Sequence, residues 1–348
     1  VQQQDPEPAG ETEPVAGAPR RPATIYDVAR AAGLATSTVS RTFSNPTRVS
    51  ARTREHVHAV AEQLGYQPNP LARALPSGRT RTVALIVADI TNPHFFGIIR
   101  GAEEQVRAAG FTLILGDSKE SPELEARHVE QLSRSVDGFL IAASRMADDS
   151  IRELASHRLT LINRQVDGYS SAIVDVVDGT RQIVEHLASL GHTSLVYLAG
   201  PRRSWLAAQR WHALRTAARA LGLTATRLGP FPPTMHGGGA AADAALGSKT
   251  TAAVAHNDLL GIGVLRRFAE RGVGVPSDIS VVGYDDIFGA DFCSPPLTTL
   301  AGPFEELGRA GVDLLLRARG PERRGPQPQQ LVLPAHLVIR GSTGPAPG

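Results

Sequence analysis

The chain has 348 residues, a formal net charge of +2 and one cysteine, Cys293. That length accommodates two or three domains with real hydrophobic cores, while a lone cysteine excludes both a disulfide framework and a cysteine-based metal site. No apolar run reaches the length of a membrane span, and the opening VQQQDPEPAGETEPVAGAPRRP has no apolar signal-peptide core, so a soluble, cytoplasmic protein is expected.

Residues 1–22, rich in Gln, Glu, Pro, Ala and Gly, read as a disordered tail. Residues 20–82 then carry ten arginines against three acids, a basic head on a near-neutral body. Such an imbalance suggests a polyanion-binding module joined to something else. Within it, TIYDVARAAG places Thr24 and Asp27 in capping-box spacing. Ile25, Val28, Ala29 and Ala32 share one helical face. Gly33 and Leu34 break the run before a second short helix, Thr36 to Phe43, with Val39 and Phe43 inward. A third helix starts near Ser50 and turns Val57, Val60, Ala61 and Leu64 inward. Two short helices joined by a tight glycine turn and braced by a third form a helix-turn-helix pattern, whose second helix enters the DNA major groove. NPLARALPSG follows: Asn69 is a good cap, Pro70 suits the first turn, and Pro76 stops the run. The result is a helix too short to stand alone in water.

From Thr82 the pattern changes to apolar runs alternating with amphipathic helices. TVALIVADI, FTLILGD, DGFLIAAS and LTLINR form one strand series, and AIVDV, SLVYLAGP, TAAVAH and ISVVGYDD a second. Continuous Val/Ile/Leu strands separated by helices predict parallel sheets covered on both faces. Two series predict two α/β subdomains with a ligand cleft at the strands' C-terminal ends. No catalytic or metal site is legible. Asp285 and Asp286 are adjacent and point to opposite sides. GIGV and HGGGA complete no nucleotide fingerprint, and His186, His192 and His256 lack metal-ligand spacing. The end, LVIRGSTGPAPG, has no leucine heptads, so no tetramerising coiled coil is expected.

The blocks TIYDVARAAGLATSTVSRTF, RVSARTREHV and LGYQPNPLARAL, in this order, resemble the DNA-binding head of the lactose-repressor (LacI/GalR) family of bacterial transcription regulators. NPHFFGIIRGAEEQ, VDGFLI, YLAGP, AHNDLLGIGVL, DISVVGYDD and SPPLTTL resemble that family's periplasmic-binding-protein-like body. The likeness runs from about Thr24 to Ser342. It implies an α/β protein with a small all-α helix-turn-helix head: tail 1–22, head 23–67, hinge helix and linker 68–81, effector-binding and dimerisation domain 82–342, and tail 343–348. It also implies a non-enzymatic, nucleoid-associated homodimeric repressor that needs no cofactor. Its partners would be a double-stranded pseudo-palindromic operator and a small effector, usually a sugar or purine-like metabolite, with a carbohydrate the expectation for this chain. A sugar-binding transport or chemoreception module is the alternative, but it would need an export signal and no basic head.

By resemblance, Thr36, Ser37 and Arg41 contact bases, while Tyr26, Thr38, Ser40, Ser50 and Thr53 position phosphates. Arg48, Asn69 and Ala72 belong to the same DNA-contact set, and Leu75 is the wedge that the hinge helix inserts into the minor groove. Phe95, Asn163, Arg164, Arg210 and Asp258 match effector-pocket positions, with Arg210 and Asp258 facing each other. Two departures stand out: Ala35 replaces a capping Ser or Thr, and Ser44 replaces an Asn.

Overall fold

The computed structural model describes residues 21, 23–44, 46–67, 80–317 and 327–348. The expected N-terminal tail and the hinge positions Asn69, Ala72 and Leu75 lie outside the described residues. The chain divides into two compact units, Val1–Thr80 and Arg81–Gly348.

The first unit holds α1 (Ile25–Ala32), α2 (Thr36–Ser44), a 3-10 turn (Pro46–Arg48) and α3 (Ala51–Gln63). Helix α1 starts where the Asp27 carboxylate accepts from the Thr24 N–H (2.9 Å) and hydroxyl (2.6 Å). It ends at Gly33, whose φ of 65° closes the turn towards α2 without Cβ strain. Ala35 has no side-chain oxygen, and its carbonyl accepts from the Thr38 and Val39 N–H groups (2.9 and 3.2 Å). Ser50 caps α3 by accepting from the Thr53 N–H (3.2 Å). The core is Val28, Ala29, Ala32, Val39, Val57, Val60 and Ala61, ringed by Ile25, Leu34, Phe43 and Tyr66. Leu64, expected inward, is 40% exposed. It follows the last helical residue and precedes the Gly65 turn, so the helical face that would have buried it has already ended.

The second unit contains two six-stranded sheets. In the first, β1 (Thr82–Val87), β2 (Thr112–Asp117), β3 (Gly138–Ala142), β4 (Leu159–Ile162), β5 (Ser170–Val174) and β11 (Gln330–Leu333) run parallel in the order β11-β5-β4-β3-β1-β2. In the second, β6 (Ser194–Leu198), β7 (Thr224–Leu228), β8 (Ala252–Ala255), β9 (Ser280–Tyr284), β10 (Thr298–Ala301) and β12 (His336–Val338) take the order β12-β10-β9-β8-β6-β7. Among the described residues only β10 and β12 pair antiparallel. The central strands are buried along their whole length, which is why they read as unbroken apolar runs rather than alternating ones.

Helices α4 (His94–Ala108), α5 (Pro122–Leu132) and α6 (Asp148–Glu153) belong to the first sheet. Helices α7 (Val176–Ser189), α8 (Trp205–Ala220), α9 (Gly237–Gly247) and α10 (Asp258–Glu270) belong to the second, and α11 (Phe304–Arg317) returns to pack on α4. A Cβ at Gly101 would overlap the Glu305 carbonyl, and one at Gly308 the Ile98 carbonyl. The α4–α11 pair therefore approaches backbone to backbone. The chain changes sheet after β5, after β10 and between β11 and β12, which leaves the strand ends of both sheets around a common cleft.

Residues 343–348, expected as a tail, are built into the second sheet's half. The Gly344 N–H donates to Ser280 Oγ (3.1 Å), the Ala346 N–H to the Leu190 carbonyl (2.8 Å), and Thr343 pairs with Thr298 (2.9 Å). These bonds complete polar groups at the ends of β9, β10 and α7 that burial would otherwise leave without partners.

Candidate functional site

The first candidate surface lies on α2. Val39 and Thr42 are buried against the head core, which turns the other faces outward: Ser37 and Arg41 are exposed, and Thr36, Thr38 and Ser40 half-buried. Thr42 and Ser44 turn their hydroxyls back to the carbonyls of Thr38 (3.0 Å) and Ser40 (2.9 Å), so they are spent within the helix. Ser37 and Arg41 are left presented to solvent. Tyr26 is 67% exposed, a large ring with no place in the core, whereas Tyr66 packs on Phe43 with centroids 5.6 Å apart. Arg48 is exposed in the 3-10 turn, and Ser50 and Thr53 share a hydroxyl bond of 2.8 Å at the start of α3.

The second candidate is the cleft between the sheets. From the first half come Asn92, His94, Phe95, Glu120 and Arg145; from the second come Ser204, Arg210, His256, Asn257 and Asp285. Helix α8 carries Arg210, 5% exposed, to the end of β9, where Nη2 donates to Asp285 Oδ1 (2.8 Å) and Nη1 to the His256 carbonyl. The guanidinium also lies over the Tyr284 ring, 4.3 Å from its centroid. Across the cleft, His94 Nδ1 stands 3.3 Å from the same Asp285 oxygen. Burial lowers the His94 pKa, with Asp285 opposing, and burial together with the Arg210 charge holds His256 well below the ordinary imidazole value. Phe95, 3% exposed, meets His94 edge-on at 5.0 Å and lines the cleft.

Asp258 does not face Arg210. Its carboxylate is fully buried against the sheet, accepting from Thr299 Oγ1 (2.6 Å) and the Ile287 N–H (2.9 Å), and a Cβ at Gly283 would overlap it. Burial, reinforced by the Asp285 charge, raises its pKa well above the usual carboxylate value. The acid that meets Arg210 is Asp285. The helix cap is Asn257, which accepts from the Leu260 N–H (3.1 Å) and donates to the Pro233 carbonyl (3.0 Å). Asn163 adopts a positive φ of 52° and accepts from the Val174 N–H (3.1 Å), clipping β4 to β5. Arg164 pairs with Asp148 and lines a neighbouring chamber rather than the central slot. Asp285 and Asp286 do diverge, both at positive φ; Asp286 turns to Arg340 (2.7 Å). His192 and His256 are held by internal hydrogen bonds: His192 bonds Thr251 (2.8 Å) and Ser280 (3.0 Å), and His256 meets Tyr197 (3.1 Å). Among the described residues no cluster suits a metal ion, and no helix is long and apolar enough to cross a membrane.

Residues 24–69 match a family model described as bacterial regulatory proteins, lacI family, and residues 184–343 match one described as a periplasmic binding protein-like domain. The chain is 32% identical over 340 residues to the HTH-type transcriptional regulator DegA of Bacillus subtilis (strain 168), covering 92% of this chain and 98% of that protein. It is 32% identical over 336 residues to the HTH-type transcriptional repressor CytR of Escherichia coli (strain K12), covering 93% and 97%. Among solved structures, a lac repressor dimer bound to operator and the anti-inducer ONPF matches with a TM-score of 0.81 at 28% identity, over 93% of this chain and 100% of that one. A complex of the transcriptional regulator CelR with cellobiose matches with a TM-score of 0.67 at 30% identity, over 92% and 99%. Likeness of this degree spans both units, head and cleft alike. The chain belongs to the lactose-repressor (LacI/GalR) family of non-enzymatic, DNA-binding regulators, with a helix-turn-helix head and a periplasmic-binding-protein-like domain.

Proposed function

We propose that this regulator represses from a pseudo-palindromic operator as a cytoplasmic, nucleoid-associated homodimer, and that a small sugar is its effector. The observation that carries the effector reading is the buried Arg210–Asp285 ion pair in the cleft, with His94 Nδ1 from the other half 3.3 Å from the same carboxylate and without a hydrogen-bond partner of its own. Fixed charged donors and acceptors of this kind suit a polyhydroxylated ring, and the similar regulator noted above holds cellobiose. An effector shifts operator affinity only through its differential affinity for the two states of the protein.

In the head, Arg41 takes a guanine edge, and Thr36 and Ser37 read the neighbouring bases. Tyr26, Thr38, Ser40, Arg48, Ser50, Thr53 and Asn69 hold the backbone, with Ala72 and the Leu75 wedge completing the contact set. Genomic footprinting tests this, with Arg41→Ala as the comparison. The variant should lose about 1–3 kcal/mol of specific binding while retaining non-specific binding. Absence of discrete footprints for the parent protein would overturn the reading.

The dimer reading rests on Phe288 and Phe292, 81% and 65% exposed, whose rings meet edge-on at 5.1 Å. An apolar pair that open to water is characteristic of an association surface. Phe288→Asp should shift sedimentation from dimer to monomer at micromolar protein. An unchanged dimer would remove this surface from the interface.

A further inference from the structure

Most of the room for a ligand is not where the buried ion pair is. The slot around Arg210, Asp285 and His94 retains about 30 Å3, which admits the hydroxyl edge of one ring and leaves no space for a second. Beside it, and sharing Arg145 as a wall, lies an open chamber of about 530 Å3, within the usual size of small-molecule sites.

The chamber is built, not merely open. Arg145 forks onto Glu120 (2.9 Å at Nη2) and donates to the Ala143 carbonyl (2.6 Å). Its own N–H donates to Glu125 (2.9 Å), a buried carboxylate that also accepts from the Ser144 hydroxyl. The loop after β3 is thereby fixed from both sides. Arg164, 8% exposed, is paired with Asp148 and donates to the Gln165 carbonyl (3.1 Å), yet its buried Nε has no partner. Arg203, from the second half, reaches Glu123 at the start of α5 (3.3 Å). Pro122, Ala126, Met146 and Ala147 supply apolar wall between these charges.

This pattern discriminates among ligands. Each of the three guanidiniums already holds a carboxylate, so an anion would have to displace one and would then meet Glu123 and Asp148. A neutral hydroxyl can instead donate to a carboxylate and accept from a guanidinium at once, while the C–H face of a ring covers the apolar wall. We propose that the chamber is a second subsite, taking a further neutral sugar unit, so that the effector is a disaccharide or longer glycoside. The proposal rests on the sugar-effector reading above.

Calorimetric titration of the full chain with glucose, galactose, mannose, cellobiose, maltose, lactose and glucuronate tests it. The parent protein, Ala147→Trp (an exposed wall position) and Arg203→Ala would be compared after urea midpoints show all three folded. A neutral disaccharide should bind at least about tenfold more tightly than its component monosaccharides. Ala147→Trp should remove that advantage while leaving monosaccharide affinity within about twofold. A monosaccharide binding as tightly as every disaccharide, disaccharide binding unchanged in both variants, or a preference for glucuronate would overturn the second subsite alone. No binding of any sugar would instead overturn the sugar reading itself.

Discussion

Replacing Asp285 with Ala is expected to destabilise the effector domain by about 3–5 kcal/mol, the cost of breaking a buried ion pair from one side. Arg210 and His94 are each 5% exposed and both address this one carboxylate. Its removal leaves a guanidinium in a low-dielectric site with only the His256 carbonyl and the Tyr284 ring face as compensation. Such a loss is a large share of the about 5–15 kcal/mol that holds a typical domain together. Urea unfolding followed by tryptophan fluorescence would read it directly, because Trp205 and Trp211 lie on the helix that carries Arg210. The double variant Asp285→Leu with Arg210→Met removes both charges and should recover much of the stability. It should not recover any response of operator binding to the effector, and that split separates the structural role of the pair from its role in binding. A loss below about 1 kcal/mol in Asp285→Ala would show that water already reaches the pair.

That Asp285 had to be found in the structure shows where sequence reading stops. The alternation of apolar runs and amphipathic helices gave both sheets, because strands buried on two faces carry a signal that depends on nothing else. The head was equally plain, down to the Thr24–Asp27 cap, since caps are local chemistry. The α9 segment GGGAAADAALG was not legible as a helix, because three glycines oppose helix formation on propensity. It forms because a Cβ at Gly238 would overlap the Gly263 backbone, so close packing on α10 requires the very residues that propensity disfavours. The cleft partners failed for a related reason. Both Asp258 and Asp285 sit in polar motifs beside the cleft, and only the burial of one against Thr299 and the positive φ of the other decide which reaches Arg210. Neither feature leaves a mark at the level of spacing. Residues 343–348 read as a tail because Thr, Gly, Pro and Ala carry no periodic signal there, while their bonds are all long-range.

Acid should weaken this domain as pH falls below the ordinary imidazole value, and His256 is the main reason. The ring is 5% exposed, with its Nδ1 3.1 Å from the Tyr197 hydroxyl, which burial keeps protonated and so able to donate. A proton on Nδ1 would reverse the direction of that bond and set a second cation beside Arg210, which grips the carbonyl of the same residue. Burial first, and then the Arg210 charge, accordingly hold its pKa well below 6.5, and burial lowers His94 as well. In the unfolded chain both rings titrate near the ordinary value of about 6.5. Below that pH the unfolded state binds protons that the native state refuses, so the unfolding free energy falls as pH falls. The limiting slope is about 1.4 kcal/mol per pH unit for each such histidine. Glu125 and Asp258 oppose the trend, since burial raises both, and their contribution grows as pH falls through those raised values. The histidine effect should therefore be clearest between about pH 7 and 5.5, read as urea midpoints at stepped pH. His256→Gln retains an uncharged amide beside Tyr197 and cannot take up the proton, so it should flatten the slope by up to about 1.4 kcal/mol per unit. A variant as acid-sensitive as the parent would mean that His256 is already protonated in the folded domain, and that its bond to Tyr197 is not the one that sets the ring's charge.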